Sequence, residues 1–159
     1  MSVMVRAIVV ADRKRPRFQV LDRRKMEFVL ARNCVARIAF VRDGRLELYP
    51  VHYVYSGGAI FGRIATGAKY FSWLAIDEVV LEVDEVKELF EWHSVVVRGA
   101  ISILRRGGTA ADRVAHARAI TAIRTLIPTA FTDGDPTPDR GFVFRIDPRE
   151  MTGRSATTR

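Results

Sequence analysis

The chain has 159 residues, 48% hydrophobic and 9% aromatic, which suits one domain with a real core and excludes a disordered chain. Its formal net charge is +8 and its pI about 10.4, with only four Lys among 26 basic residues. No apolar run reaches the ~20 residues of a membrane helix, the apolar pieces at 3–5 and 7–11 are too short for a signal peptide, and the lone Cys34 excludes an internal disulfide, which fits a reducing cytoplasm.

Residues 1–21 read as a basic arm. Part of it, 3–11, has strand character, and 13–17 with Pro16 reads as loop. Arg6, Arg13, Lys14, Arg15 and Arg17, followed by Arg23, Arg24 and Lys25, face only Asp12 and Asp22. Such a cluster could meet nucleic acid or acidic lipid. The chain shows no zinc-finger spacing, no aromatic RNA-binding signature and no helix-turn-helix pair. A solvated arm, or one packed on a partner subunit, is the expectation, with nucleic acid not a partner.

Asp22 can cap a helix running to Arg32, with Met26, Val29 and Leu30 on its apolar face and Asn33 as its stop. The run 35–41 ends at Asp43-Gly44, a hairpin signal, and returns as 46–55. There the apolar residues change parity, so a bulge is expected near Pro50, which cannot donate to a ladder. Gly57-Gly58 suits a second tight turn, and 59–61 continues as a strand.

Thr66 is a plausible N-cap for a helix carrying Tyr70, Phe71, Trp73 and Leu74. Its charges are reversed. A helix N-terminus carries roughly half a positive charge, yet Lys69 falls in the first turn, Arg63 lies just before it, and no carboxylate follows until Asp77. A bound anion would offset that repulsion, so the corner reads as a phosphate seat.

A strand over 78–86 follows, then a polar crossover at 85–92 and a long strand over 93–104. In it Ser94, Val96, Arg98, Ala100 and Ser102 share one face and His93, Val95, Val97, Gly99, Ile101 and Ile103 the other, and Gly99 marks a bend. A helix over 110–126, with Val114, Ala117, Ile120 and Ile123 inward, ends at Pro128. Residues 132–140 read as an exposed loop, 141–146 as the last strand, and 149–159 as a frayed tail. The acidic set Glu82, Asp84, Glu85, Glu88 and Glu91 reads as a solvated loop pairing with the basic arm. The three His and one Cys lack zinc spacing, and there is no nucleophile elbow, Walker loop or dinucleotide fingerprint. His93 and His116 read as structural or surface residues. The succession predicts a mainly β, α+β fold: a six-stranded antiparallel barrel with flanking helices, its domain spanning 22–148.

The motifs ARIAFV (36–41), PVHYVYSGG (50–58), AIFGRIATGAK (59–69), LEVDE (81–85), EWHSVVVRGA (91–100) and the closing FRIDPREMTGRSA stand in an order that resembles the pyridoxamine 5′-phosphate oxidase-like FMN-binding split-barrel superfamily. The nearest branch is the nitroimidazole-reductase-like, flavin-nucleotide-binding group. The resemblance implies a homodimeric split barrel with FMN at the subunit interface. Pro50, Val51 and His52 would contact the flavin, and Arg63, Ile64, Thr66 and Lys69 its phosphate. Ser94, usually from the partner subunit or nearby, would touch the flavin end, with Trp92 adjacent.

The chain departs from the group at Arg63, where many members have His, and keeps one basic residue of two at Ala68-Lys69. The oxidase's C-terminal substrate segment is unmatched, so pyridoxamine phosphate oxidation is not expected. The implied function is an FMN-dependent oxidoreductase passing electrons from a nicotinamide to a small oxidised, nitroaromatic-like substrate. The alternative is a non-catalytic module holding flavin, a deazaflavin or haem. No residue is assigned a catalytic role, and no metal is expected.

Overall fold

The computed structural model describes residues 15–65 and 76–158. The expected strand at 3–11 and the helix opened by Thr66 lie outside them, as do Thr66 and Lys69 themselves. The elements are β1 (Arg17–Val20), α1 (Arg23–Arg32), β2 (Val35–Arg42), β3 (Arg45–Ser56), β4 (Ala59–Ile64), β5 (Glu78–Glu88), β6 (Glu91–Leu104), α2 (Ala110–Leu126) and β7 (Phe142–Thr157).

The sheet runs β1-β7-β4-β3-β2-β5-β6, and β6 also pairs with β7. Six strands, β2 to β7, therefore close a ring, which removes the edges of an open sheet. β1 is a seventh strand laid antiparallel on the end of β7, so Arg17 is strand rather than loop. Local chemistry fixes the two hairpins at β2–β3 and β3–β4. Asp43 and Gly44 have φ of 51° and 73°, and Gly57 and Gly58 have 59° and 80°; two successive positive φ values define the turn that matches strand twist.

The barrel interior holds Ile38, Tyr53, Ile60, Leu81, Val95, Val97, Phe144 and Ile146. α1 plugs one end with Met26, Val29 and Leu30, and the Asp22 carboxylate accepts from the Lys25 N–H as its N-cap. A second apolar cluster, including Ala119, Ala122, Ile123, Phe61 and Val143, packs α2 on the outer face of β4 and β7. Thr109 and Asp112 form a capping box at the start of α2.

Several local expectations are corrected. Pro50 sits in an unbroken register opposite Arg37. Counting alternate pairs from the Tyr53 N–H to Cys34 C=O bond, position 50 faces away from β2, and β4 pairs only with 53–56. Proline there costs no ladder bond, so no bulge forms. The 85–92 crossover is a tight hairpin, with β5 and β6 paired out to Glu88 and Glu91. The segment after Pro148 is not frayed: β7 runs on to Thr157, paired with β6 and β1. Val114 is 52% exposed, off the inner face of α2. The acidic residues of β5 pair with α1 and β2: Glu85 with Arg32, and Glu82 and Asp84 with Arg37.

Candidate functional site

Strand alternation divides the expected site residues between two faces. Val51 and Ile64 point into the core, so only their backbones can face a ligand. Pro50 and His52 lie exposed on the outer face of β3. Beside them, Ala59 and Phe61 on β4 run beneath α2, and Arg63 beneath the 129–140 loop. That roof stops short of His52. The step leaves a pocket of about 320 Å³, lined mainly by apolar groups, with His52, Val54 and Phe61 on the sheet side and Leu126, Ile127 and Pro136 on the roof side. This is the size and character of a site for one flat organic ligand.

Arg63 lines the pocket but offers it no charge. Its Nε donates to the Arg140 carbonyl (2.8 Å), one terminal nitrogen to Asp135 Oδ1 (3.1 Å) and Thr137 Oγ1 (3.3 Å), and the other to Asp135 Oδ2 (2.7 Å) and the Thr137 carbonyl (3.1 Å). All five donors of a guanidinium are thereby spent. Its carbon also stands 4.2 Å over the Phe131 ring centroid. In this structure Arg63 therefore ties the pocket roof to the barrel wall. The loop at 132–140 is exposed at most of its positions, as expected, but the Asp135 side chain within it is 2% exposed.

Ser94 and Trp92 lie elsewhere on the barrel. The registers Pro50↔Arg37↔Glu82↔Val96 set Ser94 in the row of His52, three strands away, roughly 14 Å at ordinary strand spacing. Ser94 donates to Glu82 Oε1 at 2.9 Å. Trp92 is half-buried, with its ring centroid 6.2 Å from that of Phe18. One chain thus joins His52 to the pocket but not Ser94 or Trp92.

Sequence reasoning missed Cys34, Thr137 and Arg140 on the pocket wall, and Asp135 behind it. Cys34 was legible only as an unpaired thiol, and the loop residues sit in a stretch whose composition reads as solvated. Among the described residues no group of three or more His, Cys, Asp or Glu is placed to hold a metal ion, and no helix is long and apolar enough to cross a membrane.

A six-stranded barrel with one end plugged by a helix, and a ligand-sized step on its outer face, defines a split-barrel binding protein. The family described as pyridoxamine 5′-phosphate oxidase matches residues 22–155, and the chain belongs to that family. An FAD-binding protein from Mesorhizobium loti superposes with a TM-score of 0.68 at 24% identity, covering 88% of this chain and 98% of its own. A putative pyridoxamine 5′-phosphate oxidase from Corynebacterium glutamicum gives 0.64 at 28% identity, covering 87% and 97%. An uncharacterised protein of Rhizobium meliloti is 30% identical over 82 residues, 51% of this chain and 54% of its own. The chain thus spans about half the length of that curated relative.

Proposed function

We propose that the chain binds a flavin nucleotide on the outer face of β3 and β4 and works as a homodimeric oxidoreductase. The observation that carries this reading is the pocket at His52: a residue implied as a flavin contact lines an apolar, ligand-sized step on a barrel of this family. The FAD-binding neighbour supports a flavin. FMN is our choice, with FAD its rival.

The residues present fit the ring better than they fit a second phosphate cation. Val54, Phe61 and Leu126 offer apolar surface to a flat ring, with His52 at its rim. Arg63 has no donor to spare, so Thr66 and Lys69 are left to hold the phosphate. When bound, the flavin supplies hydride and electron transfer; the chain positions it and shields one side of it from water. A nicotinamide is the proposed donor and a small oxidised compound, of nitroaromatic type, the proposed acceptor.

Two features support the dimer. Val41, Leu46 and Leu48 stand 64%, 76% and 64% exposed on β2 and β3, the outer face that carries His52. Ser94 lies three strands from His52 on the same barrel; a partner subunit would bring its own copy to the ring.

The test is a fluorescence titration of the purified protein with FMN and with FAD. One flavin per chain is expected, and Lys69→Ala should weaken it by about tenfold or more, or about 1.4 kcal/mol. Unchanged affinity in that variant removes the phosphate assignment. Failure to take up either flavin removes the reading. Turnover of a nicotinamide with a nitroaromatic acceptor tests the enzymatic half.

A further inference from the structure

A second cavity lies between α2, the end of β6 and the start of β7. It has a volume of about 920 Å³ and, among the described residues, shares no lining residue with the His52 pocket. Its basic side chains come from two elements: Arg105 and Arg106 just after β6, and His116 and Arg124 from α2. No Asp or Glu is among its described lining residues.

Among the described residues Arg105 and Arg106 enter no hydrogen bond or salt bridge, and Arg124 gives only its Nε, to the Ala130 carbonyl at 3.1 Å. Asp112, whose carboxylate feels Arg105 and Arg113, is held by the Thr109 backbone N–H and hydroxyl. Burial, and then the Arg106 guanidinium, lower the His116 pKa below the ordinary imidazole value. Guanidinium groups gathered with no carboxylate among the described lining residues repel one another. A dianion among them would turn that repulsion into charge-assisted hydrogen bonds.

The rest of the lining is apolar and partly aromatic: Leu104, Ile120, Phe131 and Phe142. Phe131 is held there at some cost. Its φ is 62°, a left-handed conformation that a bulky residue rarely adopts. Its N–H donates to Asp135 Oδ2 at 2.7 Å, and Arg63 stacks on its ring. The device that secures Asp135 thus also fixes an aromatic wall beside three guanidinium groups.

We propose that this cavity binds a small phosphorylated molecule with a flat aromatic body, of the nucleoside monophosphate class. Arg105, Arg106 and Arg124 take the phosphate, and Phe131, Phe142 and Ile120 pack on the aromatic body. The site is independent of the flavin reading, because the two cavities have no described residue in common.

The test is calorimetric titration of the whole protein with adenosine 5′-monophosphate, adenosine and ribose 5-phosphate. The monophosphate should bind once per chain and weaken on the order of tenfold in 0.5 M salt, as a contact among guanidinium groups requires. Ribose 5-phosphate should bind more weakly, and adenosine should not bind measurably. Arg105→Ala/Arg106→Ala, both exposed positions, should weaken the monophosphate at least tenfold with flavin affinity and Tm unchanged. Lys69→Ala should leave monophosphate binding intact. In a histidine NMR titration, bound monophosphate should raise the His116 pKa. No binding, equal binding of adenosine, or binding lost only in Lys69→Ala would overturn the proposal.

Discussion

Arg63 and Asp135 form the most buried ion pair among the described residues, with side chains 5% and 2% exposed and 2.7 Å between nitrogen and oxygen. Arg63 is on β4 and Asp135 in the loop before β7, so the pair ties the roof of the His52 pocket to the barrel wall. A buried charge without its partner is costly, whereas removing both charges together is often neutral. Arg63→Met should therefore lower Tm by on the order of 10 °C. Arg63→Met/Asp135→Leu should recover most of that loss in a calorimetric cycle. A double variant no better than the single would show that the Thr137 and Arg140 contacts, not the pair, hold the loop.

The same pair sets a pH dependence. Hydrogen bonds from Arg63 come first among the causes that hold the Asp135 carboxyl well below the usual carboxylate range; the N–H groups of Phe131 and Thr137 add to them, and burial opposes them. A carboxyl whose folded pKa is depressed contributes stability above its unfolded pKa, near ~3.9, and loses it as pH falls toward the folded value. Wild-type protein should lose stability steeply below about pH 4. Asp135→Asn should be less stable at pH 7 and show a shallower decline in acid. Parallel denaturation curves from pH 7 to 2 for the two proteins would remove this account.

Much of the barrel was legible because its signals are local. Asp43-Gly44 and Gly57-Gly58 fix two hairpins by backbone conformation, and the alternation through Val95, Val97, Gly99 and Ile101 marks an inner face that the structure keeps. The stretch after Pro148 failed for the opposite reason. Gly153, Ser155 and Ala156 are small, so their burial leaves no hydrophobic signal, and β7 holds there through pairing with β6 and β1. At the candidate site, motif position singled out His52, which lines the pocket. The role of Arg63 was not legible, because its partner lies 72 residues away in a loop of Asp, Pro, Thr and Gly. Long-range charge pairing leaves no spacing rule in a sequence.

Gly99 marks the closing seam of the barrel. Pairing passes from Arg98↔Glu150 to Gly99↔Pro148, leaving Arg149 unopposed, which is a bulge. A Cβ on Gly99 would meet the Asp147 carbonyl oxygen at 2.3 Å. The obstacle is backbone, so no side-chain rotation relieves it. Gly99→Ala should destabilise the protein by about 2–3 kcal/mol, toward the upper end of overpacking costs. A loss below about 0.5 kcal/mol in urea denaturation would show that the seam can spread.

Tyr53 joins the barrel to α1. Its ring is 1% exposed, and its hydroxyl donates to the Leu30 carbonyl at 2.8 Å, one of the end carbonyls that a helix cannot satisfy itself. Tyr53→Phe should cost about 1–2 kcal/mol, a lost hydrogen bond plus a stranded acceptor. Burial first, then the charges at Cys34 and Glu85, push the phenol pKa well up. That contribution is present below the unfolded pKa near ~10 and lost as pH rises above it. The alkaline loss of stability should therefore be smaller in the Phe variant, as pH-resolved unfolding would show.

The proposed dimer makes a prediction separable from flavin chemistry. Leu46 and Leu48 alternate outward on β3, and the facing outward positions on β2 are Val41 and Ala39. Leu46 and Leu48 are 76% and 64% exposed. Burying each such side chain is worth about 1.5–3 kcal/mol, so an interface that covers them draws much of its driving force there. Leu46→Asp/Leu48→Asp should leave the barrel folded, because neither residue belongs to the core cluster, and should convert the dimer to monomer in sedimentation velocity. If the ring is completed by the partner's Ser94 and Trp92, the same variant should lose flavin affinity although it touches no flavin contact. Two further results separate the claims. A monomeric variant with full flavin affinity would place the whole ring site within one chain. A variant still dimeric would move the interface off this face of the barrel.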